Sequence, residues 1–110
     1  MAMCEYAWTS LNGNAKWFEM SAVGQQGRFH PTQKPIELYK WILFNYAKDG
    51  DKILDTHVGS ASSLIACEQM GFKYVGFEID EVYYKLATER LEQVKAQVAI
   101  TDLMNDWRLP

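Results

Sequence analysis

The sequence predicts an α/β domain organised on a parallel βαβ unit. Three observations carry that expectation. Lys52-Ile53-Leu54-Asp55 is a short apolar strand that ends on an acid. It runs into His57-Val58-Gly59-Ser60-Ala61-Ser62-Ser63, a turn of small residues before an apolar helical run. Lys73 to Glu78, KYVGFE, is a second apolar strand, also ending on an acid. Two strands joined through one helix pair in parallel by a right-handed crossover.

Composition bounds the rest. A chain of 110 residues is one small domain. With 48% hydrophobic and 23% charged residues it is globular in character, not disordered. A formal net charge of −3 argues against a strong polyanion binder. Cys4 and Cys67 are far apart and lack metal-ligand spacing, which suits a reduced, cytoplasmic protein. No apolar run approaches the roughly 20 residues of a membrane span, and no signal segment opens the chain.

Three regions follow in order. Residues 1–27 hold a candidate strand, Cys4 to Thr9, then a turn signal at Asn12-Gly13-Asn14 and a candidate hairpin partner, Lys16 to Met20. A Gly/Gln/Ser-rich loop leads to RFHPTQKP, Arg28 to Pro35. Residues 28–100 hold the βαβ region. Pro35 is suited to the first position of a helix carrying Ile36, Tyr39, Leu43 and Tyr46 on one face. Gly50 is the expected C-terminal cap. The central helix is expected over Ser62–Met70, stopped by Gly71. Asp80 should cap a last helix with Tyr83, Leu86, Ala87, Leu91, Val94 and Val98 inward. Residues 101–110 form a tail without a clear period.

The chemistry gathers at the strand ends. Gly59 and Ser60 allow close backbone approach beside a helix N-terminus. In an open parallel sheet, ligands bind in that crevice. Asp55 and Glu78 point there, and an acid at the second strand end is the usual partner of ribose hydroxyls. Their alternative role is to cap neighbouring helices. Two carboxylates would repel a diphosphate, and neither a GK[ST] loop nor G-x-G-x-x-G is present. S-adenosylmethionine, with a ribose and a sulfonium but no phosphate, fits better than NAD or ATP. Lys34 is a candidate for a ligand carboxylate, with Thr32 and Gln33 as hydrogen-bond donors. His30 and His57 read as packed or hydrogen-bonding histidines, with no ligand spacing and no nucleophile partner.

Taken together, HPTQKP, GDKILDTHVGSASS and YVGFEIDEVYY with Ala87 and Arg90 in an AxxR pattern resemble the bacterial and phage DNA amino-methyltransferases. The resemblance covers about Arg28 to Leu91 and implies a partial Rossmann-like methyltransferase fold. It also implies a site for S-adenosylmethionine. Asp55, Gly59 and Ser60 would line that site, Glu78 would bind the ribose hydroxyls, and Thr32 and Lys34 would hold the methionine end. The reaction implied is methyl transfer to the exocyclic amine of adenine or cytosine in DNA.

Two departures stand out. Thr56-His57 replaces the family's Pro-Phe, and Ala61 replaces a glycine. The catalytic DPPY-type segment, which holds the flipped base, is absent from the sequence. The chain therefore looks like the C-terminal, cofactor-binding part of such an enzyme, inactive alone. The other reading is a non-enzymatic module that binds a nucleoside cofactor or complements a separate catalytic chain. The unpaired sheet edge at Ile53 is expected to be covered either by the N-terminal strand Cys4–Thr9 or by a second chain, and a homodimer, for instance with exchanged N-terminal strands, is the favoured of the two.

Overall fold

The computed structural model describes residues 5–20 and 34–107. Its elements are α1 (Ile36–Tyr46), β1 (Lys52–Asp55), α2 (Ser62–Met70), β2 (Lys73–Gly76) and α3 (Glu81–Trp107). The strands pair in parallel, as expected, with Ile53 opposite Tyr74 and Asp55 opposite Gly76. Pairing outlasts the regular ladder by one bond, from the Phe77 N–H to the Asp55 carbonyl at 2.9 Å.

Helix α2 is the centre of the packing. Every residue from Ser62 to Cys67 is buried, and Ile65 and Ala66 have no exposed surface. A helix covered all round has no need of an amphipathic stripe. On one side, Ala66 and Cys67 pack with Leu43 of α1, together with Ile36, Tyr39 and Ile53. On the other, Leu64 packs with Ala61 and Ala87, together with Val58 and Leu91. Tyr74 reaches both clusters, and its hydroxyl donates to Glu68 Oε2 at 2.7 Å. Burial and the Glu68 carboxylate push the Tyr74 phenol upward from its usual pKa. Burial likewise pushes the Cys67 thiol up to about 11, so Cys67 is a neutral core residue. Gly71, with φ +82°, ends α2 as a left-handed cap.

The helix faces follow the sequence pattern with one exchange. Ile36, Tyr39, Leu43 and Tyr46 of α1 are all at least partly buried. On α3, Tyr83, Ala87, Leu91, Val94 and Val98 turn inward, but Leu86 is exposed and Arg90 occupies the inward stripe. Asp80 caps α3 as expected, accepting the Tyr83 N–H at 3.0 Å.

Several expectations need correction. No strand forms in Glu5–Thr9 or Lys16–Met20. Tyr6 and Trp8 are 96% and 88% exposed. A two-stranded hairpin is marginal in water unless it packs on a further layer, and none is offered here. The segment is held instead by Phe18 against Trp41, ring centroids 5.7 Å apart, and by a Glu5–Lys34 ion pair. Nor does Glu5–Thr9 join β1, since among the described residues the sheet contains only β1 and β2. Pro35 is the N-cap of α1 rather than its first helical residue. The C-cap is Ala47, which turns extended, while Gly50, φ +89°, serves the following turn. That turn closes through Asp51 N–H to Lys48 O and Lys48 N–H to Asp51 Oδ2. Finally, α3 runs on through the expected tail to Trp107. Residues 101–107 contain no glycine or proline, so an established helix propagates through them at little cost.

The sheet is covered on one face. Ile53 and Tyr74 face the helices, whereas the register partners Leu54 and Val75 are 62% and 56% exposed. Gly76 permits the covered face to close. A β-carbon there would stand 2.5 Å from Val58 Cγ2 and 2.7 Å from Leu64 Cδ1. Val58 is branched at its β-carbon and Leu64 is buried, so neither yields readily. Gly76→Ala is therefore expected to destabilise the chain by about 1–3 kcal/mol through overpacking. Urea unfolding followed by circular dichroism measures this, and an unchanged midpoint would contradict the packing described.

Candidate functional site

Beyond the strand ends the chain builds a turn fixed from several directions. Asp55 accepts the His57 N–H on Oδ1 at 2.9 Å and the Ser63 hydroxyl on Oδ2. The Val58 N–H donates to the Phe77 carbonyl at 3.0 Å, tying the turn to the end of β2. The Glu78 carboxylate accepts the Gly59 N–H on Oε1 at 2.7 Å and the Asp80 N–H on Oε2 at 2.9 Å. Its two bonds therefore join the loop after β1 to the loop after β2.

Gly59 has φ +58° and Ala61 has φ +68°. For an L-residue this left-handed conformation costs roughly 1–2 kcal/mol, and it persists only where its surroundings determine it. Those surroundings are visible. The Ala61 N–H donates to the Val58 carbonyl at 3.1 Å, and its carbonyl accepts the Ile65 N–H at 2.9 Å. Ala61 itself is buried against Leu64 and Ala87. Next to it, the Ser60 and Ser62 hydroxyls lie 3.1 Å apart, both buried. Arg90 Nη1 donates to the Ser60 carbonyl at 2.9 Å and to Ser62 Oγ at 3.2 Å.

A cleft of about 920 Å³ opens over this turn. Gly59, Ser60 and Ser62 form one wall, with Glu78 and Ile79 on the side of β2 and Lys34, Tyr39 and His57 on the side of α1 and the turn. That volume lies within the range of small-molecule and cofactor sites. Lys34 is turned toward Glu5 in an exposed ion pair, and its ammonium holds the Glu5 carboxyl below the usual value. His57 Nδ1 is 2.9 Å from Thr56 Oγ1. Burial and the Asp55 charge push the Tyr39 phenol up, so the group it brings to the cleft is a neutral hydroxyl.

Four of the site residues expected from sequence, Lys34, Gly59, Ser60 and Glu78, meet at this one cleft. Asp55 is not among the lining residues, and its carboxylate is engaged with His57 and Ser63. Thr32, Gln33 and His30 lie outside the described residues. Neither acid is a helix cap, because the N-cap of α2 is Ala61, without a side-chain cap bond, and α3 is capped by Asp80. Arg90 was legible only as the last letter of AxxR. Its place in the inward stripe of α3, three residues after Ala87, is the signal that could have assigned it to the turn.

The chain is similar to known methylases and methyltransferases. A type II methyltransferase of Streptococcus pneumoniae, M2.DpnII, is 40% identical over 63 residues, covering 57% of this chain and 24% of the relative. The putative methylase YubD of Escherichia coli is 30% identical over 83 residues, covering 76% of this chain and 37% of the relative. Among solved structures, M1.HpyAVI in complex with SAM superposes with a TM-score of 0.57 at 29% identity. It covers 59% of this chain and 32% of that one. The chain thus spans between about a quarter and two fifths of the length of these relatives. No helix among the described residues is long and apolar enough to cross a membrane. The family model described as DNA methylase matches residues 4–89, most of the sequence, and the chain belongs to that N6/N4 DNA methylase family.

Proposed function

We propose that the chain is the S-adenosylmethionine-binding part of a DNA methyltransferase that modifies an exocyclic amine of adenine or cytosine. The carrying observation is the cleft over the Gly59–Ser62 turn, rimmed by the Glu78 carboxylate. It falls within the matched family segment, and its likeness to a SAM-bound relative supports the same ligand. In this reading Gly59 and Ser60 offer close backbone approach to the ligand. Glu78 accepts from the ribose hydroxyls while keeping its bond to Gly59. Lys34, with Thr32, holds the methionine carboxylate. Asp55 acts from beneath by fixing the turn. Bound S-adenosylmethionine would supply an electrophilic methyl group.

No DPPY, NPPY or SPPW segment occurs in the sequence. Such a segment positions the target amine, and positioning supplies much of the rate. Cofactor binding without methyl transfer is the activity expected of this chain by itself, with DNA as the substrate of the complete enzyme. A second reading, a module complementing a separate catalytic chain, is favoured by the exposed sheet face at Leu54, Val75 and Phe77.

Calorimetric titration with S-adenosylmethionine tests the first reading. Wild type should bind, and Glu78→Ala and Asp55→Ala should each weaken binding by about 1–3 kcal/mol, roughly five- to 150-fold. Equal affinity in all three proteins would refute the site.

A tritiated methyl donor with mixed-sequence duplex DNA should yield no labelled DNA from the purified chain. Turnover that survives further purification would overturn the partial-enzyme reading.

Apolar sheet surface and a β1 edge that no other described strand pairs favour self-association. A homodimer is expected in sedimentation equilibrium at micromolar concentration. A single species of 12.7 kDa would rule it out.

A further inference from the structure

We propose that Arg90 is a positioning residue for the cleft, acting by clamping the peptide that enters the left-handed residue Ala61. The inference rests on the cofactor reading for its ligand, but its geometry stands without one. The guanidinium reaches from α3 to a turn thirty residues earlier in the chain. One nitrogen, Nη1, meets both the Ser60 carbonyl at 2.9 Å and Ser62 Oγ at 3.2 Å. Those two atoms flank Ala61. The Ser60 carbonyl belongs to the same peptide as the Ala61 N–H, and that N–H is held by the Val58 carbonyl at 3.1 Å. Both ends of this peptide are therefore tied, and its plane fixes φ of Ala61 at +68°.

This clamp matters because the residue is alanine. Glycine takes positive φ about as readily as negative, so a glycine here would hold the turn without help. Alanine does so only under constraint. If the Ser60–Ala61 peptide rotates, the wall of the cleft formed by Ser60 and Ser62 moves with it. Ligand affinity then falls by the fraction of molecules that keep the binding shape. Arg90 touches no ligand in this scheme. It maintains the population of the competent turn.

The test is a double-mutant cycle read by S-adenosylmethionine calorimetry. Arg90→Met keeps the apolar stem and removes the donors. In the Ala61 background it should weaken binding about tenfold, given the bias of alanine against left-handed backbone. In an Ala61→Gly background the same substitution should cost only about twofold, since glycine is nearly indifferent to the sign of φ. A general structural role would give the same loss in both backgrounds, and that result overturns the proposal. If Arg90→Met lowers the folded fraction, Arg90→Leu, which likewise has no donor, carries the same comparison. Amide hydrogen exchange without ligand gives an independent reading. The Ala61 N–H should lose protection in Arg90→Met while Cys67 and Met70 keep theirs. Unchanged protection at Ala61 would also overturn the clamp. Absence of binding by wild type would refute the cofactor reading alone, leaving the exchange experiment to decide on Arg90.

Discussion

The bond from the Gly59 N–H to Glu78 is the constraint on which the rest of the site depends. It joins the loop after β1 to the loop after β2 at 2.7 Å, where the parallel ladder has already ended. The Val58 N–H to Phe77 carbonyl bond, at 3.0 Å, ties the neighbouring residue of the turn to the same loop. With both bonds, Val58, Gly59 and Ser60 are set at a fixed height above the sheet, and α2 starts in a defined direction. The burial of α2 then follows. Leu64 and Ile65 enter the core because the turn aims them there, at roughly 1.5–3 kcal/mol for each large side chain removed from water.

What the sequence disclosed, and what it did not, divides along the range of the interaction. The limits of β1 and α2 and the start of β2 are set by local features: an acid at a strand end, a run of small residues, a glycine at a helix end. These were readable from the residues alone. The convergence of Glu78 and Gly59 was also legible, because a βαβ unit brings successive strand ends together. The N-terminal hairpin failed as an expectation for a non-local reason. Tyr6, Trp8 and Trp17 have strand propensity, but propensity is expressed only where a neighbouring strand or layer receives the side chains, and these remain exposed. The extension of α3 through Trp107 was missed because those residues show no apolar period. Their helicity comes from propagation. Arg90 was missed as a turn residue because a charged side chain in an inward stripe reads as a break in the pattern.

The departures in the glycine turn have a common physical sense. Ala61 stands where the resembling family has glycine, and it carries a methyl group buried against Leu64 and Ala87. That contact offsets part of the cost of positive φ. It also narrows the conformations open to the turn, since alanine has fewer than glycine. The serines around it are buried, with Ser60 and Ser62 paired to each other and Ser63 to Asp55. A polar group buried without a partner would cost about 1–3 kcal/mol, and no described side chain is left in that state. The turn is thus small in volume, dense in hydrogen bonds and poor in glycine, a combination that favours one shape over an ensemble.

The two sides of the cleft differ in how firmly they are held, and that difference bears on how a ligand could enter. The wall at Gly59–Ser62 is bonded to Glu78 and Arg90, and the residues on either side of it, His57 and Ser63, are bonded to Asp55. The opposite side is looser. Lys34 precedes α1 and is paired with Glu5 of an irregular segment, in a contact open to solvent. An exposed ion pair contributes little, because water solvates each charge nearly as well as the partner does. Lys34 can therefore exchange the Glu5 carboxylate for the carboxylate of a ligand at small cost. Recognition of a ligand's polar hydroxyls would then fall to the rigid wall, where a misplaced donor is costly. Capture of its charged end would fall to a side chain free to move toward it.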